Sequence, residues 1–359
     1  MRLALILVHY HTPALAVSAV DALRRGVEDA GLDPETEVEW LLIDNGSDEA
    51  GRALLESLPV QRIDPGTNLG YAGGVNLGVA QSRAGSILLL NPDVLVLPGC
   101  VSALLAALDA GAGVAGPQSF WDQGRRLLLP PAEPRSRRDE VIGLLAGRGP
   151  RMAERARRRW RRHARRHWQA RQPLPSWTLS GSLLALRREV WERVGPFDEG
   201  YPLFFEETDW LLRVRRQGCP TWYVPAAAAV HLHGRSAVAE PRSRQWFEES
   251  ARRFREKWYG VWFADLLEAM SRRLPGRPDP RQEVPAEGLD LSGFPFPLWI
   301  EISPNPAGFP AAAERLEAPV PGGWRLPAEV VERIAGSEWA VQIVDEQGRE
   351  LARYLLRVG

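Results

Sequence analysis

The stretch Ile87-Leu-Leu-Leu-Asn-Pro-Asp93 decides the fold. Its four apolar residues are bounded by polar or turn-forming residues, which is typical of a strand buried on both faces of a sheet. Asn91-Pro92-Asp93 ends the strand, because proline cannot donate a ladder hydrogen bond and a carboxylate is costly to bury. In open α/β sheets, ligands bind beyond the carboxyl ends of the strands. Asp93 is therefore placed to hold a cation against a phosphate, although the same residues would also form an ordinary turn.

Strands and helices alternate before this stretch. Further strands are predicted at residues 3–8, 40–44 and 60–63. This alternation predicts an α/β fold with a mostly parallel, Rossmann-like sheet. The ends of these strands then bring polar residues to one sheet edge: Thr12, Asp44, Asn68 and Asp93.

A glycine-rich segment, residues 66–78, has the backbone freedom to approach a ligand closely. It leads into a helix predicted over residues 75–83, whose N-terminus would favour an anion. The segment lacks both the P-loop pattern and the G-x-G-x-x-G spacing, which argues against those two nucleotide-binding motifs.

Composition narrows the function classes. The 359 residues are 45% hydrophobic and 25% charged with a formal net charge of zero, so no overall field attracts nucleic acid. The two cysteines, Cys100 and Cys219, are far apart, which indicates a reducing compartment and a cytoplasmic protein. No apolar run reaches the length of a membrane span.

Residues 151–171 form a basic segment with ten arginines and two histidines against one glutamate. Apolar residues recur every fourth position along it: Met152, Ala156, Trp160, Ala164 and Trp168. Such a helix would lie on an anionic membrane surface or grip an acidic acceptor. Equally, it would be a solvated helix that docks through its tryptophan seam.

The predicted division is a catalytic domain at 1–263 with a basic helical insertion at about 135–172, a linker at 264–290 and a β-rich domain at 291–359. The linker is rich in proline, arginine and glutamate. The last domain contains apolar runs of strand type separated by turns.

Five segments in this order resemble a known family: Val8-His-Tyr-His-Thr-Pro13, Ile43-Asp-Asn-Gly-Ser-Asp48, Asn68-Leu-Gly-Tyr-Ala-Gly-Gly-Val-Asn-Leu-Gly78, Leu90-Asn-Pro-Asp-Val94, and Ser180-Gly181 through Phe197-Asp-Glu199 and Glu206-Glu-Thr-Asp209 to His231. Over roughly residues 3–240 the chain resembles the inverting glycosyltransferases of family 2, which have the A-type nucleotide-sugar fold. The nearest likeness is to the rhamnosyltransferase-like enzymes of surface polysaccharide synthesis.

This resemblance implies transfer of a sugar, L-rhamnose in the nearest subgroup, from a nucleoside-diphosphate sugar to a glycan or lipid-linked acceptor. It assigns a divalent metal, Mg²⁺ or Mn²⁺, to Asp93 and His231, with His233 second to His231. Glu206 and Glu207 correspond to the catalytic acidic pair, in which Glu207 is the general base. The implied nucleotide-sugar ligands are Thr12, Asp44, Asn68, Gly73, Gly74, Asn76, Asn91 and Gly181. The basic insertion would hold the enzyme at the inner face of the membrane.

The chemistry of a single displacement supports Glu207 as the general base, because one carboxylate must take the proton of the acceptor hydroxyl. At a helix start, the dipole would keep such a group ionised. Asp209 is better explained by an ion pair with Arg213 one turn later.

The sequence departs from the family pattern in three places. His9 and His11 stand where asparagines are common, Asn91 replaces the first acid of D-x-D, and Glu207 replaces an aspartate. Two other functions stay open from the residues alone. One is a nucleotidyltransferase on a related sheet, and the other is a non-catalytic scaffold that binds glycans or membranes.

Overall fold

The computed structural model describes residues 2–147, 149–232, 242–273, 282–284 and 288–358. In chain order the elements are β1 (Leu3–His9), α1 (Pro13–Asp29), β2 (Val38–Asp44), α2 (Glu49–Glu56), β3 (Gln61–Ile63), α3 (Gly70–Gln81), β4 (Ser86–Leu90), β5 (Val94–Val96), α4 (Cys100–Asp109), β6 (Val114–Phe120), α5 (Arg137–Ala146), α6 (Pro150–Trp168), β7 (Leu174–Pro175), β8 (Leu183–Arg187), α7 (Arg188–Val194), α8 (Glu206–Arg216), β9 (Thr221–His231), α9 (Ser243–Tyr259), α10 (Val261–Arg273), β10 (Gln282–Glu283), β11 (Leu298–Ser303), β12 (Ala312–Leu316), α11 (Ala328–Arg333), β13 (Glu338–Asp345) and β14 (Glu350–Arg357).

The chain divides into two compact units. The first comprises Met1–Gln118 and Ala170–Ala264, and the second comprises Ser119–Gln169 and Asp265–Gly359. This grouping differs from the predicted division, which placed the basic insertion in the catalytic domain. The insertion instead packs with the C-terminal strands, for reasons given below.

The first unit is built on a nine-stranded sheet in the order β3-β2-β1-β4-β8-β6-β9-β5, with β7 beside β9. Strands β3, β2, β1 and β4 are parallel, joined by helices, as the alternating pattern predicts. Strand β8 then runs antiparallel to β4, and β5 runs antiparallel to β9. The predicted α/β fold with its parallel sheet is confirmed, and antiparallel strands extend the sheet beyond β4.

Strand β4 lies between β1 and β8, and its residues 87–90 are at most 1% exposed. The predicted burial of this strand on both faces is therefore observed. The strand ends at Leu90, so Asn91-Pro92-Asp93 stands at its carboxyl end, where the sequence places it.

The glycine-rich segment is mostly helix, because α3 begins at Gly70 rather than near residue 75. A Cβ atom on Gly74 would lie 2.7 Å from Val8 Cγ1, and one on Gly78 would lie 2.5 Å from Ile6 Cγ2. These glycines therefore let α3 lie directly on β1. The predicted loop at Gly73 and Gly74 is wrong, since both residues belong to the first turns of this closely packed helix.

The second unit is built on a five-stranded sheet in the order β10-β14-β13-β11-β12, antiparallel except for the pair β10 and β14. The predicted β-rich C-terminal region is thus confirmed. Helix α6 packs on this sheet through Trp160, Ala164 and Trp168, which contact Trp299 and Val344. The rings of Trp168 and Trp299 are stacked with centroids 5.5 Å apart.

Helix α6 also buries an arginine in the second unit. The Arg161 side chain is 2% exposed, with Nε 2.8 Å from Oε2 of the fully buried Glu301. Its Nη2 donates to Gln342 Oε1 at 2.9 Å.

Of the two interpretations of helix α6, docking through the tryptophan seam is the observed one, so the seam is not available to lipid. Arginines on the other face stay exposed: Arg151, Arg155, Arg158, Arg162 and Arg166. Within the described residues, no helix is long and apolar enough to cross a bilayer.

We expect Arg161→Met to lower the free energy of unfolding by about 3–5 kcal/mol, because it leaves Glu301 buried without its cation. Urea denaturation followed by tryptophan fluorescence measures the loss. The matched control is Arg158→Met, whose side chain is 58% exposed and, in the described part of the chain, pairs only with Glu154 on the same helix. It should cost under ~1 kcal/mol. Equal losses in the two variants would contradict a dominant role for the buried pair.

Candidate active site

The ends of β1 and β2 are joined through the buried imidazole of His9. Its Nδ1 lies 3.2 Å from Thr12 Oγ1, and its Nε2 lies 2.7 Å from Ser47 Oγ and 3.7 Å from Asp44 Oδ1. The Thr12 backbone N–H donates to Nδ1, so Nδ1 is the acceptor and Nε2 carries the proton. Burial lowers the pKa of His9. A neutral histidine therefore brings the predicted ligands Thr12 and Asp44 together.

Asp44 is buried, and its carboxylate accepts several hydrogen bonds. Oδ1 accepts from the backbone of Gly46 and Ser47, and Oδ2 accepts from Arg62 Nη1 at 3.0 Å. Burial opposes ionisation, yet the hydrogen bonds from Ser47, Arg62 and Gly46 hold the pKa of Asp44 below its usual value. The group thus stays a carboxylate at the sheet edge and organises the turn that follows β2.

Three asparagines hold α3 in place. Asn45 Nδ2 donates to Gly70 O at 2.9 Å, and Asn68 Oδ1 accepts from the Gly70 N–H at 2.8 Å. Asn76 Nδ2 donates to Phe197 O and to Glu199 Oε1. Two of the predicted nucleotide-sugar ligands, Asn68 and Asn76, therefore make contacts that fix the helix.

Asp93 and His231 meet because β5 pairs with β9. Val94 is opposite His231 in this pairing, and the Leu232 N–H donates to Asp93 O at 2.9 Å. The His231 Nε2 lies 3.4 Å from Asp93 Oδ1, and the carboxylate is fully buried. The predicted metal pair is thus brought together. His233 lies outside the described residues.

The donor set at this pair suits a divalent cation that is shared with a ligand. The described part of the chain contains no group of three or more His, Cys, Asp or Glu side chains that would hold a metal alone. However, Mg²⁺ commonly binds one or two carboxylates together with substrate phosphates. Nearby, the buried Asn91 Oδ1 has no hydrogen-bond partner among the described residues. A carboxylate, an imidazole and an amide oxygen therefore fit a cation completed by a diphosphate.

Glu206 and Glu207 begin α8 and follow two residues with left-handed backbone, Phe204 and Phe205, each at φ 70°. Such conformations are costly for aromatic residues and cluster at functional sites. A Cβ atom on Gly181 would lie 2.6 Å from Glu207 Cγ, so the main chain at Gly181 forms one wall for this side chain. Glu207 is partly exposed, whereas Glu206 is only 4% exposed.

Tyr71 lies at the centre of this arrangement and was not among the predicted site residues. Its hydroxyl donates to Gly181 O at 3.2 Å. Burial raises the pKa of the phenol, and the charges of Glu206, Glu207 and Asp93 raise it further. The structure therefore gathers Glu206, Glu207 and the carboxylate that the sequence predicts to bind metal, Asp93, around one tyrosine. No sequence motif identifies Tyr71 as a site residue, although it lies inside the glycine-rich segment.

Asp209 has the structural role that the sequence favours. Its Oδ2 accepts from Arg213 Nε at 3.1 Å, four residues later on α8. Its Oδ1 lies 2.8 Å from Lys257 Nζ and accepts from the indole of Trp258 at 2.8 Å. The side chain is fully buried, so Asp209 ties α8 to α9.

Comparisons with known proteins agree with this geometry. Residues 6–195, more than half of the chain, match the family described as Glycosyl transferase family 2. An N-acetylglucosaminyl-diphospho-decaprenol L-rhamnosyltransferase of Mycobacterium tuberculosis is 32% identical over 251 residues, which cover 64% of this chain and 78% of that protein. The low-salt glycan biosynthesis hexosyltransferase Agl10 of Haloferax volcanii is 24% identical over 198 residues, 54% of this chain and 58% of its own.

Two solved structures are more distant matches. TarS 1-349 of S. aureus is 14% identical with a TM-score of 0.45, covering 76% of this chain and 71% of its own. The mannosyltransferase PcManGT of Pyrobaculum calidifontis, in complex with GDP-Man and Mn²⁺, is 14% identical with a TM-score of 0.45, covering 77% and 76%. On the family match and the mycobacterial relative, the chain belongs to glycosyl transferase family 2 and is a glycosyltransferase similar to rhamnosyltransferases of glycan synthesis.

Proposed function

We propose that this glycosyltransferase moves a sugar from a nucleoside-diphosphate donor to a lipid-linked glycan by a single inverting displacement, with Glu207 as the general base. The observation that supports this most directly is the grouping of Glu207, Gly181 and Asp93 around Tyr71. The name of the mycobacterial relative suggests L-rhamnose as the sugar and a diphospho-polyprenol as the acceptor carrier.

Glu207 is the best base among the three acids in the first turn of α8. Asp209 is fully buried and bound by Arg213 and Lys257, so it cannot meet a substrate. Glu206 is almost fully buried. Glu207 alone of the three is accessible, and the helix dipole favours its ionised form. Its carboxylate would take the proton of the acceptor hydroxyl as that oxygen attacks the anomeric carbon.

Asp93 and His231 would hold Mg²⁺ or Mn²⁺, with Asn91 beside them. Such a cation neutralises the negative charge that develops on the departing diphosphate. Asp44 would meet the ribose or base of the nucleotide, with its carboxylate oriented by hydrogen bonds from Gly46, Ser47 and Arg62. Thr12, Asn68, Asn76, Gly73, Gly74 and Gly181 would shape the nucleotide-sugar pocket mainly through the backbone that they hold in place.

A lipid-linked acceptor would require the enzyme to work at the inner face of the membrane. The exposed arginine face of α6 is our proposed contact with anionic lipid, in place of the seam, which is buried. Its five arginines recur along nearly the whole helix, and the one glutamate of α6, Glu154, is already engaged by Arg157 and Arg158.

We expect Glu207→Gln to lower kcat by ~10²–10⁴, the usual contribution of a general base, while donor binding is kept. Release of nucleoside diphosphate from dTDP-L-rhamnose, with N-acetylglucosaminyl-diphospho-decaprenol as acceptor, measures kcat. Calorimetry with dTDP and Mn²⁺ measures donor-site binding. Glu192→Gln, at an exposed acid of α7, is the control and should turn over like the wild type. Normal turnover by Glu207→Gln would exclude it as the base. Release of pyrophosphate when the wild type is given dTTP and a sugar 1-phosphate would indicate a nucleotidyltransferase.

For the metal pair, Asp93→Asn should abolish turnover that depends on added Mg²⁺ or Mn²⁺, because the amide carries no charge to hold the cation. Electron paramagnetic resonance of free Mn²⁺, titrated with protein and dTDP, reports binding without any turnover. Asp109→Asn, on α4, is the matched control and should bind Mn²⁺ like the wild type. Unchanged Mn²⁺ binding by Asp93→Asn would refute this assignment.

Replacing Arg151, Arg155 and Arg162 by glutamine should weaken flotation with phosphatidylglycerol vesicles by on the order of 10²-fold, since each arginine near such a surface contributes ~1 kcal/mol. The control carries the same charge change at three exposed arginines elsewhere: Arg52, Arg83 and Arg244. If both triple variants float alike, the face of α6 is not a specific contact.

A further inference from the structure

Glu206 is a buried carboxyl that has no counter-ion among the residues that the structure describes. It is 4% exposed, and no arginine, lysine or histidine of the described residues lies within ion-pair distance of it. Its Oε2 is buried and has no hydrogen-bond partner within the same part of the chain. Buried polar atoms in folded proteins are nearly always hydrogen-bonded, so an unsatisfied one beside an active site points to a ligand.

The surroundings of Glu206 disfavour a negative charge there. Burying an uncompensated carboxylate costs far more than burying a carboxylic acid. Burial raises the pKa of Glu206 well above its usual value, and the neighbouring charge of Glu207 raises it further. Among the described residues, the Tyr71 phenol on α3 and the Asp93 carboxylate after β4 also face this region, and neither supplies a positive charge. The His231 imidazole lies at Asp93, 3.4 Å from its Oδ1.

The position of Glu206 is also held firmly. Phe205, which precedes it in left-handed backbone, packs against Phe254 with ring centroids 5.3 Å apart and against Phe247 at 5.4 Å. The Ser250 hydroxyl donates to Leu203 O at 2.7 Å, which fixes the same turn. Helix α9 thus prevents the turn from relaxing and exposing Glu206 to water.

We propose that Glu206 serves as a neutral hydrogen-bond donor to a hydroxyl of the saccharide bound beside Glu207, so that Glu207 alone carries the negative charge. This inference rests on the proposed function and goes beyond it. A sugar hydroxyl both accepts and donates, so it satisfies a protonated carboxyl and needs no cation. The hydroxyl belongs to either the transferred sugar or the acceptor sugar, and the experiment separates these two sources.

The test compares the same substitution at two adjacent residues. Glu206→Gln keeps a neutral donor of similar shape and should retain kcat/KM within about threefold of wild type. Glu207→Gln should be nearly inactive. Glu206→Leu removes the hydrogen bond and should lower kcat/KM at least ~5-fold. A higher KM for dTDP-L-rhamnose places the hydroxyl on the donor, and a higher KM for N-acetylglucosaminyl-diphospho-decaprenol places it on the acceptor.

Two kinetic results would overturn the proposal: Glu206→Gln as inactive as Glu207→Gln, or Glu206→Leu as active as wild type. Thermal unfolding and calorimetry with dTDP and Mn²⁺ show whether each variant is folded. A second readout needs no turnover. The infrared difference spectrum of wild type minus Glu206→Gln at neutral pH should contain the carbonyl band of a protonated carboxyl. A carboxylate band instead would also overturn it, even if the wild type transferred a different sugar or none.

Discussion

The orientation of Glu207 depends on the close approach of α8 to the main chain at Gly181. Residue 181 is a glycine, and a Cβ atom there would lie only 2.6 Å from Glu207 Cγ, closer than two non-bonded carbon atoms can approach. The carbonyl of the same residue accepts the Tyr71 hydroxyl, which comes from α3. Helix α3 in turn lies directly on β1 because Gly74 and Gly78 have no side chains. These three glycines therefore set the distances between the sheet, α3 and α8, and the general base that we propose would need such fixed geometry.

Three acids in a single helical turn acquire different properties from their surroundings. Asp209 is buried and balanced by Arg213 and Lys257, so it is a structural anion. Glu206 is buried with no cation beside it among the described residues, which favours the acid. Glu207 is partly exposed, so its carboxylate can meet a substrate. Because burial and counter-ions differ over four residues, one turn of helix would supply a structural anion, a neutral donor and a base in the mechanism that we propose. The residue types alone do not distinguish these roles.

The parts of this site differ in how far sequence predicts them. Strand β4 and the position of Asp93 follow from four apolar residues and a proline, which act locally. The pairing of Asp93 with His231 does not follow from local sequence, because it needs the antiparallel register of the three-residue strand β5 with the distant strand β9. The helical start at Gly70 was missed, since glycine permits both loop and helix. A signal was present: Gly74 and Gly78 are four residues apart and so share one helix face. Tyr71 had no such signal.

Helix α6 shows why a basic amphipathic pattern is ambiguous until its partner is known. A tryptophan seam flanked by arginines suits a membrane interface and a protein interior equally, because long arginine stems cover apolar surface in both. The deciding residue is Glu301, in the middle of the otherwise apolar strand β11. A lone acid at a buried strand position requires a cation, and Arg161 is the one that reaches it. Reading Glu301 together with the arginine-rich segment would have assigned the insertion to the C-terminal unit. The arginines that face away from that sheet are not explained by the pairing with Glu301. An anionic partner would therefore bind the outer face of α6 and not its seam.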